Sequence, residues 1–240
     1  MSFFVRAFDS RWGWFLRGLP SLPRAKSMFR IRRATMTSPA RCRLLWEQCG
    51  RIFQARLPGA FVECGVWRGG STALMALAAQ RAGKTREFHL FDSFAGLPEP
   101  SAADGAASID YSGGKSSGRL EPIGKCVAGL NEVQQFLFDK LLLEKSWFHF
   151  HVGWFQNTIP AISSNIGDIA LLRLDGDWYE STQICLEYLY PKLLPGGVVI
   201  LDDYFAWKGC RDATEDYRTR HGIKTKLVHI DDAAGYWVKE

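Results

Sequence analysis

Residues 60–81 read A-F-V-E-C-G-V-W-R-G-G-S-T-A-L-M-A-L-A-A-Q-R, and the two halves of the stretch follow different periods. Residues 60–64 are a short apolar run that fits a buried strand, and residues 71–81 fit the helix after it. Between them the chain turns at Gly65, Gly69 and Gly70. A strand, a glycine turn and a helix in that order open a βαβ unit. The alternation continues downstream, with strands predicted over 87–91, 147–152, 169–174 and 198–201 and helices near 130–145, 180–192 and 209–221. This pattern predicts an α/β fold on a Rossmann-like, mostly parallel sheet. Residues 225–230 and 236–238 flank D-D-A-A-G and predict a closing hairpin, which adds an antiparallel C-terminal strand.

The chain has 240 residues, 47% of them hydrophobic and 23% charged, enough for one α/β domain with an appendage and incompatible with a disordered tail. No apolar run approaches the ~20 residues that a membrane-spanning helix needs. The net charge of +5 is unevenly placed. Residues 1–60 hold twelve Lys and Arg against Asp9 and Glu47, a net of +10, which leaves −5 for the remainder. The six cysteines form no C-x-x-C pair, and Arg6, Asp9 and Arg11 interrupt the apolar start, so no secretory signal is read. Reduced thiols in a cytoplasmic setting are the expectation.

Phe4, Phe8, Trp12, Phe15, Leu16 and Leu19 recur at helical spacing, so residues 1–34 are expected to form a basic amphipathic helical arm. Such an arm packs over a pocket or against a second copy in a homo-oligomer, and it also fits peripheral contact with the inner face of a membrane. No RNP, helix-turn-helix or zinc-finger pattern accompanies the charge, which argues against a nucleic-acid partner. Residues 101–119 are small and polar, and the segment 101–125 is expected to be a long, lid-like loop.

The glycine turn points to a class of cofactor. A dinucleotide fingerprint requires a glycine where Trp67 stands, and a P-loop requires a lysine between Gly70 and Ser71. S-adenosylmethionine carries no phosphate and fits better. Glu63 could accept from its ammonium group. Asp92, with its neighbour Ser93, ends the second strand where ribose hydroxyls are commonly read. Taken singly, Asp92 reads better as a helix cap or turn former and Glu63 as a paired structural carboxylate.

The strand I-A-L-L-R-L runs into Asp175-Gly176-Asp177, and V-V-I-L runs into Asp202-Asp203. Strands four and five are neighbours in a doubly wound sheet, so these four carboxylates gather at one rim. Their mutual repulsion calls for a cation or an arginine. Oxygen-only ligands suit Mg²⁺ or a similar hard divalent ion, and the absence of Cys and His from both motifs disfavours zinc. Asp175 or Asp177 could take a proton from a substrate hydroxyl. His149 and His151 alternate on the third strand and receive no role.

Four further motifs carry a family likeness: E-C-G-V-W-R-G-G-S (63–71), F-D-S-F-A-G-L-P-E-P (91–100), L-R-L-D-G-D-W-Y-E-S-T (172–182) and L-Y-P-K-L-L-P-G-G-V-V-I-L-D-D-Y (189–204). Together with G-W-F-Q-N-T-I-P (153–160), they resemble the macrocin O-methyltransferase family over about residues 35–240. The resemblance implies a class I methyltransferase sheet and an S-adenosylmethionine- and metal-dependent transfer to a hydroxyl of a sugar, glycan or glycolipid acceptor. It also implies that Asp175, Asp202 and Asp203 hold the metal, with Asp175 well placed to assist deprotonation. Gly65, Gly69, Gly70 and Ser71 would line the methionine end, Asp92 the ribose and Trp154-Phe155 the adenine side, with Thr35 and Met36 closing over the cofactor. Two rival readings use the same features, a metal-dependent hydrolase and a non-catalytic binding protein on a methyltransferase fold.

Overall fold

The computed structural model describes residues 22–240. The aromatic part of the basic arm, Phe4 to Leu19, lies outside the described residues. The described chain is built on a seven-stranded sheet in the order β3-β2-β1-β4-β5-β7-β6. The strands are β1 (Ala60–Cys64), β2 (Phe88–Asp92), β3 (Phe148–Val152), β4 (Ile169–Leu174), β5 (Leu193–Leu201), β6 (Val228–His229) and β7 (Gly235–Val238). The first five run parallel, and β7 pairs antiparallel with both β5 and β6. The expected sheet and closing hairpin are both present.

Helices cover both faces. On one side lie α1 (Leu22–Ile31), α2 (Pro39–Gln54), α3 (Gly70–Arg81) and α5 (Leu130–Gln134), the last running on as a π-type turn over Gln135–Lys140. Their apolar residues join Phe61, Phe88 and Leu90 of the sheet in one core. On the other side α6 (Phe155–Ile162), α7 (Tyr179–Leu189) and α8 (Lys208–Arg220) enclose Val62, Phe91, Leu172 and Trp237. All five β1 side chains are buried, as a central parallel strand requires. Each large apolar side chain so buried contributes roughly 1.5–3 kcal/mol.

Two expectations need correction. The appendage does not extend to residue 34, because Met28 and Ile31 on α1 are fully buried in the main core. Nor is 101–125 a bare loop. It holds a 3₁₀ turn (Ala102–Asp104) and α4 (Ala106–Tyr111). Asp104, 2% exposed, is its anchor. One carboxylate oxygen accepts from the Ser101 amide at 2.7 Å in a capping box, and the other accepts from the Tyr179 amide at 2.6 Å. The Trp178 indole N–H donates to the Pro98 carbonyl at 3.0 Å. Polar side chains, which hydropathy discounts, therefore do the anchoring.

Asp104→Ala removes bonds from both the segment and the start of α7, and a lost buried partner costs about 1–3 kcal/mol. Limited proteolysis should then cut within 101–120 faster than in the parent chain. Unchanged cleavage would contradict the anchoring role.

Candidate active site

The order of strands reverses between β1 and β4, and the cleft opens over the carboxyl ends of the strands at that point. Gly65 leaves β1 with φ of +90°, and a Cβ there would lie 1.9 Å from the carbonyl oxygen of Asp175. Only glycine lets the turns after β1 and β4 touch. Gly69 (φ +78°) caps α3 without a side-chain hydrogen bond, and a Cβ on Gly70 would stand 2.4 Å from the Ala34 carbonyl oxygen. The first turn of α3 consequently faces the cleft with its positive dipole end.

The cleft has a volume of about 210 Å³. Its walls include Thr35, Met36, Gly65, Gly70 and Ser71 near α3, Asp92 and Ser93 after β2, and Trp154 and Phe155 at the start of α6. Of the residues expected to bind cofactor, these nine meet around one space. The other two stand apart. Gly69 is absent from the walls, and a Cβ on it would touch Val133 instead. Glu63 is 1% exposed behind the turn, its carboxylate taken by Arg173 and the Thr72 hydroxyl. Buried and paired in this way, it does not line the cleft. Asp92 accepts from the Val66 and Trp67 amides on one oxygen (2.7 and 3.0 Å) and from the Phe94 amide on the other (2.7 Å). Burial raises its pKa against these three donors.

At the tips of β4 and β5 the acidic residues divide into two groups. Arg173, 2% exposed, donates through Nη1 to Glu63 at 2.9 Å and through Nη2 to Asp175 Oδ2 at 2.8 Å. The same Nη2 lies 2.8 Å from Asp202 Oδ1 as an ion pair. Arg41 of α2 ion-pairs with Asp202 Oδ2 and reaches Asp231 with Nε at 2.9 Å. Asp202 is thus enclosed by two guanidinium groups. The remaining set is Asp175, Asp177 and Asp203, each with a carboxylate oxygen within 4.8 Å of the other two. Asp175 and Asp203 of the expected trio fall in this set together with Asp177. Asp202 lines the same cleft, but its oxygens are paired with Arg173 and Arg41. Asp177 adopts φ of +56°, and its amide donates to Asp203 at 3.3 Å. A non-glycine residue in that left-handed region carries local strain that surrounding contacts must hold.

Electrostatics reflect this division. Burial outweighs the pull of Arg173 and Thr72 and pushes Glu63 up to about 7. Asp177 is pushed up to about 8 by burial and by Asp175, although the Trp207 indole donates to it. Asp203 is raised well above the usual carboxylate range by burial and by Asp177, Asp175 and Asp202. Asp175 is raised by burial, Arg173 opposing. Arg173 itself gains more from Asp202, Asp175 and Glu63 than burial takes away. The trio has an unmet demand for positive charge that the two arginines do not fill. An all-oxygen donor set with that deficit fits a hard divalent ion.

Sequence reasoning missed Arg173 and Arg41. Arg173 left a visible signal, a lone charge inside the apolar strand I-A-L-L-R-L. Arg41 left none, since its partners are 161 and 190 residues away.

Two measurements test the electrostatics. Arg173→Met leaves three acids without their shared cation and should cost about 3–5 kcal/mol in urea denaturation, a loss that Lys, a point charge without the planar fork, restores only in part. Wild-type stability under Arg173→Met would exclude this role. The raised carboxylates bind protons in the folded chain that the unfolded chain has already released. In chelator, stability should therefore fall as the pH rises from about 5 to about 8, and a rising thermal midpoint across that window would contradict the assignment.

Comparisons with known proteins identify the family and the fold. The family model described as Macrocin-O-methyltransferase (TylF) matches residues 21–239. The 8-demethyl-8-(2,3-dimethoxy-alpha-L-rhamnosyl)-tetracenomycin-C 4'-O-methyltransferase of Streptomyces olivaceus is 40% identical over 182 residues, 75% of this chain and 66% of that protein. This chain thus spans about two thirds of that relative's length. The mycinamicin III 3''-O-methyltransferase of Micromonospora griseorubida is 34% identical over 186 residues, 75% of this chain and 68% of the relative. Among solved structures, the O-methyltransferase NovP superposes with a TM-score of 0.75 at 32% identity, covering 86% of this chain and 82% of NovP. The calicheamicin methyltransferase CalS11, at 18% identity and a TM-score of 0.66 over 99% of this chain and 93% of its own, shares the fold. With the family match running over nearly all the described residues, the chain belongs to the macrocin O-methyltransferase family.

Proposed function

We propose that the chain transfers a methyl group from S-adenosylmethionine to a hydroxyl on the sugar of a small glycosylated molecule, with a divalent ion such as Mg²⁺ at the carboxylate cluster. The observation that carries this reading is the adjacency of the α3 turn to Asp175, Asp177 and Asp203 in one cleft. The sugar acceptor is supported by the relatives' names, which place their methylations on rhamnosyl-tetracenomycin and on mycinamicin III. A hydrolase needs neither the glycine turn nor the wall formed by Ser71, Asp92 and Trp154.

The residues divide the work. Gly70 and Ser71, at the positive end of α3, suit a carboxylate. Asp92 keeps acceptor capacity on Oδ1, which takes a single amide, and would serve the ribose hydroxyls. Trp154 and Phe155 offer flat apolar faces for adenine, and Phe155 packs close to Gly176, where a Cβ would meet its ring at 3.2 Å. Asp175, Asp177 and Asp203 would hold the metal.

When bound, S-adenosylmethionine supplies an electrophilic methyl group and a divalent ion supplies positive charge that makes a nearby hydroxyl more acidic. The chain contributes placement and a proton acceptor. Asp175 is fixed by Arg173 through one oxygen, so its other oxygen is held at the cleft with little freedom. Asp175 or Asp177 would accept the hydroxyl proton as the methyl carbon–oxygen bond forms and its carbon–sulfur bond breaks, with S-adenosylhomocysteine as the leaving group. Holding donor and acceptor in line within about 3–3.5 Å supplies ~7–11 kcal/mol of the barrier.

Asp177→Asn and Asp203→Asn should each lower kcat by at least about 100-fold with a glycosylated acceptor, while calorimetry with S-adenosylmethionine still shows binding. Chelator should abolish turnover, and added Mg²⁺ should restore it. Full turnover in excess chelator removes the metal from the mechanism, and absence of cofactor binding removes methyl transfer.

A further inference from the structure

Among the described residues, one other group of side chains has the spacing of a metal site, and it lies on the far edge of the sheet. It consists of Glu87, His89 and His149, whose ligand atoms all fall within 4.8 Å of one another. The sheet register explains the grouping. β3 is an edge strand, and its parallel pairing with β2 sets His149 opposite His89 and His151 opposite Phe91. Alternation along each strand places Glu87, His89, His149 and His151 on one face.

The histidines differ in their surroundings. His89 is 8% exposed, with its ring stacked against His149 at 4.9 Å and against His151 at 5.4 Å between centroids. Its Nδ1 lies 3.1 Å from His151 Nε2, a hydrogen bond that fixes the ring. His151 is held in turn by stacking on Phe91 at 4.4 Å. The remaining nitrogen of His89, Nε2, lies 3.9 Å from Glu87 Oε2. That separation is too long for a hydrogen bond and leaves room for an atom between the two. A ligating histidine commonly spends its second nitrogen on such a partner, which fixes the tautomer.

We propose that Glu87, His89 and His149 bind a zinc-type divalent transition metal ion, with His151 positioning His89. Two imidazole nitrogens and one carboxylate oxygen suit borderline ions such as Zn²⁺ or Co²⁺ and not Mg²⁺, which prefers oxygen. Three protein ligands leave a fourth position for water, which the exposed side chains of Glu87 and His149 admit. The ion would tie the edge strand to its neighbour, away from the carboxyl-end cleft. It would act as a clamp on an otherwise unpaired edge.

The test uses tag-free full-length chain in excess Mg²⁺, which occupies the oxygen cluster, titrated with Co²⁺. One equivalent should bind with the intense visible absorption of a four-coordinate site, and Zn²⁺ should displace it. His149→Ala and Glu87→Gln, both at exposed positions that leave the core intact, should each weaken Co²⁺ binding by about 10-fold or more. Zn²⁺ should raise the thermal midpoint of the parent chain and leave that of His149→Ala unchanged. Equal Co²⁺ spectra and stoichiometry in the parent chain and His149→Ala would overturn the assignment, as would a parent chain that shows no such absorption.

Discussion

A guanidinium buried at the centre of an acidic cluster is the constraint on which the rest depends. Arg173 is 2% exposed and within 2.9 Å of Glu63, Asp175 and Asp202. A charge so placed is tolerable only with close partners, and its planar fork reaches groups at the ends of three strands at once. Glu63 lies on β1, while Asp175 and Asp202 immediately follow β4 and β5, so one side chain ties together the strand ends that form the floor of the cleft. Arg41 extends the network through Asp202 to Asp231, linking α2 to the turn before β7.

This arrangement sorts five acids into two tasks. Glu63 and Asp202 pair with the arginines. Asp177 and Asp203 have no arginine within ion-pair reach among the described residues, and Asp175 stands between the groups with one oxygen on Arg173. The trio is left with carboxylates raised by burial and mutual repulsion, Asp177 to about 8. A hard cation would relieve that repulsion, and the proposed chemistry would use the same positive charge on a substrate hydroxyl. The left-handed backbone at Asp177 turns its side chain into the group.

The parallel strands and the closing hairpin are legible in the sequence because the strands are predominantly apolar and the turns between them carry glycine and aspartate. Two helices are harder to read. α6 contains Pro160, which reads as a helix breaker, and α2 is rich in arginine although Ser38 and Pro39 mark its start. The acidic doublets locate the site, yet the pairing of Asp202 with Arg41, distant in sequence, is not legible in it. The same holds for Glu63, a strand-end acid that pairs with a buried arginine. In the 101–125 segment the order comes from buried polar groups, Asp104 and Ser108, that hydrophobic patterning passes over.

The central claim is that the cation is held by Asp175, Asp177 and Asp203 beside the cofactor turn. A crystal structure of the chain with Mn²⁺ and S-adenosylhomocysteine, with anomalous scattering locating the metal, tests it most directly. The account predicts a peak among those three carboxylates, with Asp202 still paired to Arg173 and Arg41. A peak ligated by Asp202 with its arginines displaced, or no metal in the cleft at saturating Mn²⁺, would contradict it.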